Sequence, residues 1–205
     1  IDLDVALLKG GVVTPPTPTD PDPDPDPGTG PGAGPGAGGG VDAPRTSGSL
    51  RWGVKAAFRS YVTGPIANGR VSVSRGASAS GGSYRFFQKS TAASGADARG
   101  ATRYGGTVRF TGHAGALDLS VTDPTVTVRA GRVGTLSAVM AGRRIDVGSV
   151  DLARASRTTK AGAVTYSGAP VRLTAAGARA FQEFYSAGEA MDPVTFTVGS
   201  DGGAA

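Results

Sequence analysis

The sequence predicts a mainly β fold, an antiparallel meander or sandwich-like arrangement with two α-helices as minority content. Three observations predict it. Five segments between residues 107 and 152 alternate apolar and polar side chains, which is the two-residue period of a half-buried strand. The spacers between them, Ala114-Gly115, Asp123-Pro124, Ala130-Gly131-Arg132 and Ala141-Gly142-Arg143, are short and turn-forming, as hairpins require. Two stretches of helical period, 50–64 and 175–188, bracket the strands in sequence.

In chain order, residues 1–10 (IDLDVALLKG) read as a strand left from a preceding segment, and the chain as an excised piece of a longer protein. Residues 11–48 alternate Pro-Asp and then Gly-Ala with almost no apolar side chain, so nothing offsets the entropy of ordering them. They read as an unfolded tether, stiff in its proline half and coiled in its glycine half. The folded body is expected over residues 49–199. Residues 50–64 (LRWGVKAAFRSYVTG) follow serines that could cap a helix and stop at Gly64-Pro65, which predicts a helix with Leu50, Val54 and Tyr61 on one stripe. Strands follow at 70–75 and 83–87, and the small polar residues 88–105 read as a surface loop. In the segment 144–152 the apolar parity switches between Val147 and Val150, which predicts a bulge at Gly148-Ser149. After a polar excursion at 153–162 come short strands at 164–166 and 171–173. Thr174 then caps a second helix to Gly188, with Ala178, Phe181, Phe184 and Tyr185 inward. A strand at 194–198 precedes a floppy tail, 200–205.

The absence of cysteine excludes disulfides, thiolate metal sites and cysteine nucleophiles, and a single histidine excludes a multi-histidine metal centre. No apolar run is long enough to cross a bilayer, so no membrane insertion is expected of this fragment. The net charge of +5 divides unevenly: residues 1–48 carry seven acids against two bases, which leaves +10 on residues 49–205. A body that basic attracts anions.

Two residues stand out for chemistry. Tyr61 ends the apolar stripe of the first helix, with its ring toward the core and its hydroxyl at the rim. His113 sits at a hairpin tip among small residues, with the outward parity of Arg109 and Thr111. Taken alone, a rim tyrosine bonded to a carbonyl and an exposed loop histidine account for both. No G-x-S-x-G nucleophile elbow occurs, and no enzyme is expected.

The segments LRWGVKAAFRSYVTGPIANG, VRFTGHAGALDLSVTDPTV and LTAAGARAFQEFYSAGEAMDPVTFTV resemble, in the same order, the signature blocks of the HtaA domain, a haem-binding module of bacterial cell-surface haem uptake. The resemblance spans nearly the whole folded body. It implies a mostly β domain that binds one ferric haem b and passes it to other haem-binding domains or surface carriers, in a secreted or surface-anchored protein. It further implies that Tyr61 is the axial iron ligand, that His113 hydrogen-bonds the ligand oxygen, and that Tyr185 belongs to the pocket. Phenolate is a hard anionic donor suited to ferric iron, and an imidazole beside it can take its proton or steady its oxygen. Phe58, Phe181 and Phe184 are candidates to line the macrocycle, and Lys55 and Arg59 to meet its propionates. The competing expectation is a cofactor-free β-rich module that binds an anionic wall polymer or a protein. A nucleic-acid partner is not expected, because no recognition motif occurs and the few aromatics fall on presumed core faces.

Overall fold

The computed structural model describes residues 48–182 and 184–199; the expected remnant strand, the tether up to residue 47 and the tail from residue 200 lie outside the described residues. The strands are β1 (Ser49–Trp52), β2 (Arg70–Ser74), β3 (Ser78–Ser80), β4 (Ser83–Thr91), β5 (Gly100–Gly105), β6 (Thr107–Gly112), β7 (Leu117–Arg129), β8 (Val133–Met140), β9 (Arg143–Asp151), β10 (Ser156–Lys160), β11 (Ala163–Leu173) and β12 (Ala190–Val198). Helix α1 (Ala56–Thr63) follows β1, and α2 (Ala175–Ala180) follows β11. The mainly β class with two helices therefore holds.

The sheet closes on itself. Eight antiparallel strands run β7-β5-β4-β1-β12-β11-β9-β8, and β8 pairs back onto β7. A ring of eight leaves an interior that side chains can fill. Here Trp52, Phe86, Tyr104, Leu136, Tyr166 and Phe196 fill it, each at most 1% exposed. Buried phenols need acceptors, and Tyr104 and Tyr166 donate to the carbonyls of Thr197 and Asp97 at 3.2 and 2.8 Å. Burial pushes the Tyr104 phenol far above its usual range.

Strand β7 is longer than the ring needs. Its C-terminal half pairs with β5 and β8, while residues 117–122 pair with β6, and β2 lies on the far side of β6. The kink between the halves falls at Asp123, where φ is +45°. The Asp123 amide donates to the Gly106 carbonyl at 2.8 Å, and the Gly106 amide donates to the Asp123 carboxylate at 3.0 Å. The β6–β7 hairpin thus branches from the ring as a ledge, and α1 packs upon it, with Phe58 5.1 Å from Phe110 between ring centres.

Several local expectations change. Residues 49–52 form a strand because β12 and β4 flank them in register, and this long-range pairing outweighs the helical pattern. The helix begins only at Ala56, after Val54 at φ +68°, a strained value for a β-branched residue. The expected loop at 88–105 contains the end of β4 and all of β5, and it buries Tyr104 and Thr102. The polar excursion includes β10, an edge strand exposed at every position. Two expected short strands are one bulged strand, β11. The bulge in β9 is present one residue early, at Val147, where Leu136 faces Gly148 and Ser137 faces Asp146. It turns the Val147 carbonyl toward the Thr174 amide at 3.0 Å and so docks α2. Thr174 does cap that helix, accepting from the Gly177 amide at 2.9 Å, but the helix ends at Ala180 rather than Gly188.

Candidate functional site

Helix α1 is anchored at its start from across the molecule. Nothing in its own sequence caps it; instead the Ala56 amide donates to one carboxylate oxygen of Asp192 on β12 at 3.0 Å. The second oxygen accepts from the Arg59 guanidinium at 2.5 Å, and Arg59 also donates to the Gly53 carbonyl. The Asp192 backbone joins in: its amide donates to Val54 and its carbonyl accepts from the Trp52 indole at 3.0 and 2.9 Å. A negative group at a helix N-terminus is favourable in itself. The strained turn at Val54 is thereby held closed from four directions.

The other end of α1 is tied to the β6–β7 tip. Gly69 donates to Val62 at 2.8 Å, and the His113 amide donates to the Ala67 carbonyl at 2.7 Å. Gly69 must lack a side chain, since a Cβ there would lie 1.9 Å from the Thr111 carbonyl oxygen. At the tip His113 and Ala114 both take positive φ, +50° and +53°. This conformation costs non-glycine residues energy and recurs at functional positions.

These two anchors bring together side chains 52 positions apart: the Tyr61 hydroxyl and His113 Nε2 form a hydrogen bond of 2.6 Å. The pair is open to solvent on one side, with Tyr61 half-buried and His113 exposed. Beside it the Phe184 ring lies 5.8 Å from Tyr61 and is 45% exposed, so an apolar surface borders the pair. Behind it Phe58, fully buried, touches the rings of Phe110, Phe181, Phe184 and Tyr185 at 5.1 to 6.4 Å. The sequence-derived residues Tyr61, His113, Tyr185 and Phe58 thus fall in one neighbourhood. Phe58 forms its floor, and Phe184 is the ring that faces out.

The two tyrosines differ. Burial, and then the negative Glu189 side chain, push the Tyr185 phenol up, so it keeps its proton. Lys55 Nζ sits 4.9 Å over the Tyr185 ring and pairs with Glu189 at 3.0 Å. Tyr61 has an imidazole nitrogen at its oxygen instead, a group able to receive the proton when the phenol binds a metal. Lys55 and Arg59, considered from the sequence as anion contacts, are both engaged in these ion pairs.

Sequence reasoning missed Asp192 and the Ala67 carbonyl. Asp192 had a signal, as one of only nine acids among residues 49–205 and followed directly by Pro193. The Ala67 carbonyl had none. A cavity of about 420 Å³ lies elsewhere, between the β7 edge at Asp118–Ser120 and α2, and touches neither Tyr61 nor His113. The donor chemistry at Tyr61 is the better guide to the site, because that cavity holds no comparable ligand group. Among the described residues no three His, Cys, Asp or Glu side chains gather, so a metal bound at Tyr61 would have to bring other ligands with it.

The HtaA family model (Htaa) matches residues 47–197. Among solved structures, the C-terminal domain of HtaA from Corynebacterium glutamicum is 30% identical, with 75% of this chain and 96% of that one covered and a TM-score of 0.67. The N-terminal domain of the same protein is 25% identical, covering 76% and 98%, at a TM-score of 0.58. The heme binding protein HtaB from the same organism is 25% identical, covering 75% and 93%, at 0.56. No curated protein matches.

Proposed function

We propose that this chain, which belongs to the HtaA family, binds ferric haem b through the Tyr61 oxygen and hands it on in a haem-uptake relay at the cell surface. The observation that carries this is the 2.6 Å bond between Tyr61 and His113 beside the exposed ring of Phe184. HtaB of C. glutamicum, a heme binding protein that shares this fold, supports the ligand class. The residues suit the group. Haem supplies iron already held by four ring nitrogens, which answers the want of further protein ligands at Tyr61. Its apolar face suits the Phe184 ring, with Phe58 and Tyr185 behind.

The protein's part is to offer oxygen and manage its proton. Neutral phenol titrates near 10, so Tyr61 must lose its proton to serve as an anionic donor at neutral pH. His113 Nε2 is at the distance to take that proton and then to donate back to the phenolate oxygen, which tunes how firmly the oxygen holds iron. The Ala67 carbonyl fixes the His113 backbone, and Asp192 fixes α1, so both partners are set before a ligand arrives. Tyr185, kept neutral, serves as wall and not as second ligand. The sole imidazole is committed to this bond, and we read the chain as a carrier and not a catalyst. Residues 11–48 would tether the domain to a neighbour, keeping two sites at high effective concentration during transfer.

A titration with haemin, followed by absorption, tests the proposal. Wild-type protein should give a saturable ferric tyrosinate spectrum, Tyr61→Ala should lose it, and His113→Ala should retain a weaker, faster-dissociating form. An unchanged spectrum in Tyr61→Ala refutes the ligand assignment.

A further inference from the structure

On the outer wall of the ring, four strands present side chains in one row. Ser78 on β3 stands opposite Arg85 on β4, Arg85 opposite Arg51 on β1, and Arg51 opposite Thr195 on β12. Neighbouring strands lie about 4.8 Å apart, so the row extends roughly 14 Å. Both arginines are exposed, and neither has an ion-pair partner among the described residues, where the ion pairs engage other cations. Like charges directly opposite across a strand pair are destabilising. The usual remedy, an interposed acid, is absent from this row.

The row is also oriented. The Arg85 guanidinium lies 4.9 Å over the ring of Phe87, which is 46% exposed, and stacking of this kind fixes the guanidinium plane. The Thr195 hydroxyl already accepts from the Gly168 amide at 3.0 Å, which leaves its hydrogen to donate outward. The result is a hydroxyl, two guanidiniums and a second hydroxyl in register, all able to donate.

We propose that this wall docks a polyanion whose repeating unit is a phosphodiester between small polyols or sugars. Paired guanidiniums one strand apart can embrace a tetrahedral phosphate through parallel N–H groups, and the flanking hydroxyls reach its neighbours. The length of the row and the +10 charge of residues 49–205 favour a repeating anion over a single one. Nucleic acid fits less well, because stacking bases need free aromatic faces and Arg85 covers the exposed Phe87 ring beside this row. The docking wall stands on residues distinct from the Tyr61 site and does not depend on the haem reading.

The test is binding of a synthetic glycerol-phosphate oligomer of about ten repeats to the purified chain at physiological ionic strength. Losing two charge-assisted contacts should weaken binding about tenfold or more in the double variant R51Q/R85Q. The charge-matched control R129Q/R132Q, altered at exposed positions by the β7–β8 turn, should stay within about twofold. Circular dichroism checks that both variants fold, and haemin titration should be the same in each. Absence of binding by wild type, equal loss in both variants, or tighter binding of single-stranded DNA or polyglutamate would each overturn the proposal.

Discussion

Replacing Asp192 by alanine should separate the helix that carries Tyr61 from the sheet beneath it. The carboxylate does two things: it accepts from the Ala56 amide at 3.0 Å, and it pairs with Arg59 at 2.5 Å with side chains 25% and 21% exposed. Loss of a helix-capping acceptor costs about 1 kcal/mol. Loss of a partly buried, charge-assisted bond costs about 1.5 kcal/mol, the low end of its range because water can reach Arg59. The sum is roughly 2–3 kcal/mol, or about 4–12 °C in Tm for a body of this size. Asp192→Asn can keep an oxygen for Ala56 but sets an NH2 donor where Arg59 had its acceptor, so it should lose the Arg59 bond, about 1.5 kcal/mol, and keep the cap. The backbone bonds of Asp192 to Val54 and Trp52 survive in both variants, so the chain should still fold. Thermal unfolding by circular dichroism gives the stabilities, and haemin titration below the transition gives affinity. Affinity should fall in the order wild type, Asn, Ala, because α1 loses its fixed position relative to His113. Equal stability of all three proteins, within about 0.5 kcal/mol, would refute the clamp.

Two further substitutions probe the anchors of the site and of the ledge. Gly69→Ala places a methyl 1.9 Å from the Thr111 carbonyl and 2.8 Å from that of Val62, so the loop holding the Ala67 carbonyl must move. It should cost about 1–3 kcal/mol in urea unfolding and weaken haemin binding, although it touches no ligand group. Asp123 tests the kink in β7. Burial pushes its carboxyl up, but the Gly106 amide, the Lys89 ammonium and Arg75 outweigh burial and hold it below its usual range. A depressed folded-state value means stabilisation that is present above the unfolded pKa of about 3.9 and lost as pH falls through the folded one. Asp123→Asn should therefore lower stability at pH 7, by about 1 kcal/mol or less, and make little difference in strong acid. An equal loss at both pH values would show that geometry and not charge is responsible.

Much of this molecule is legible in its sequence where the cause is local. Alternation located β6 to β9, since each of those strands buries one face, and Thr174 announced α2 because its cap lies within the helix's own first turn. Misreadings arise where distant strands decide. Leu50 and Trp52 fit a helical stripe, yet both belong to β1 because β12 and β4 satisfy its backbone from either side. Tyr104 lies in a run of small polar residues, and only closure of the ring buries it. The same division runs through the site. The candidates Tyr61, His113 and Tyr185 stand in motifs that can be read locally, but the capping of α1 by Asp192 joins positions far apart in the chain. The link from Ala67 to His113 is a backbone carbonyl, to which sequence is blind.

The most direct measurement is resonance Raman spectroscopy of the haemin-loaded chain, excited in the tyrosinate-to-iron charge-transfer region. Wild type should give ring modes of a coordinated phenolate, Tyr61→Phe should lose them while keeping its fold, and His113→Ala should keep them at shifted frequency. Phenolate modes that persist in Tyr61→Phe would assign the ligand to another tyrosine and contradict the role given to the Tyr61–His113 pair.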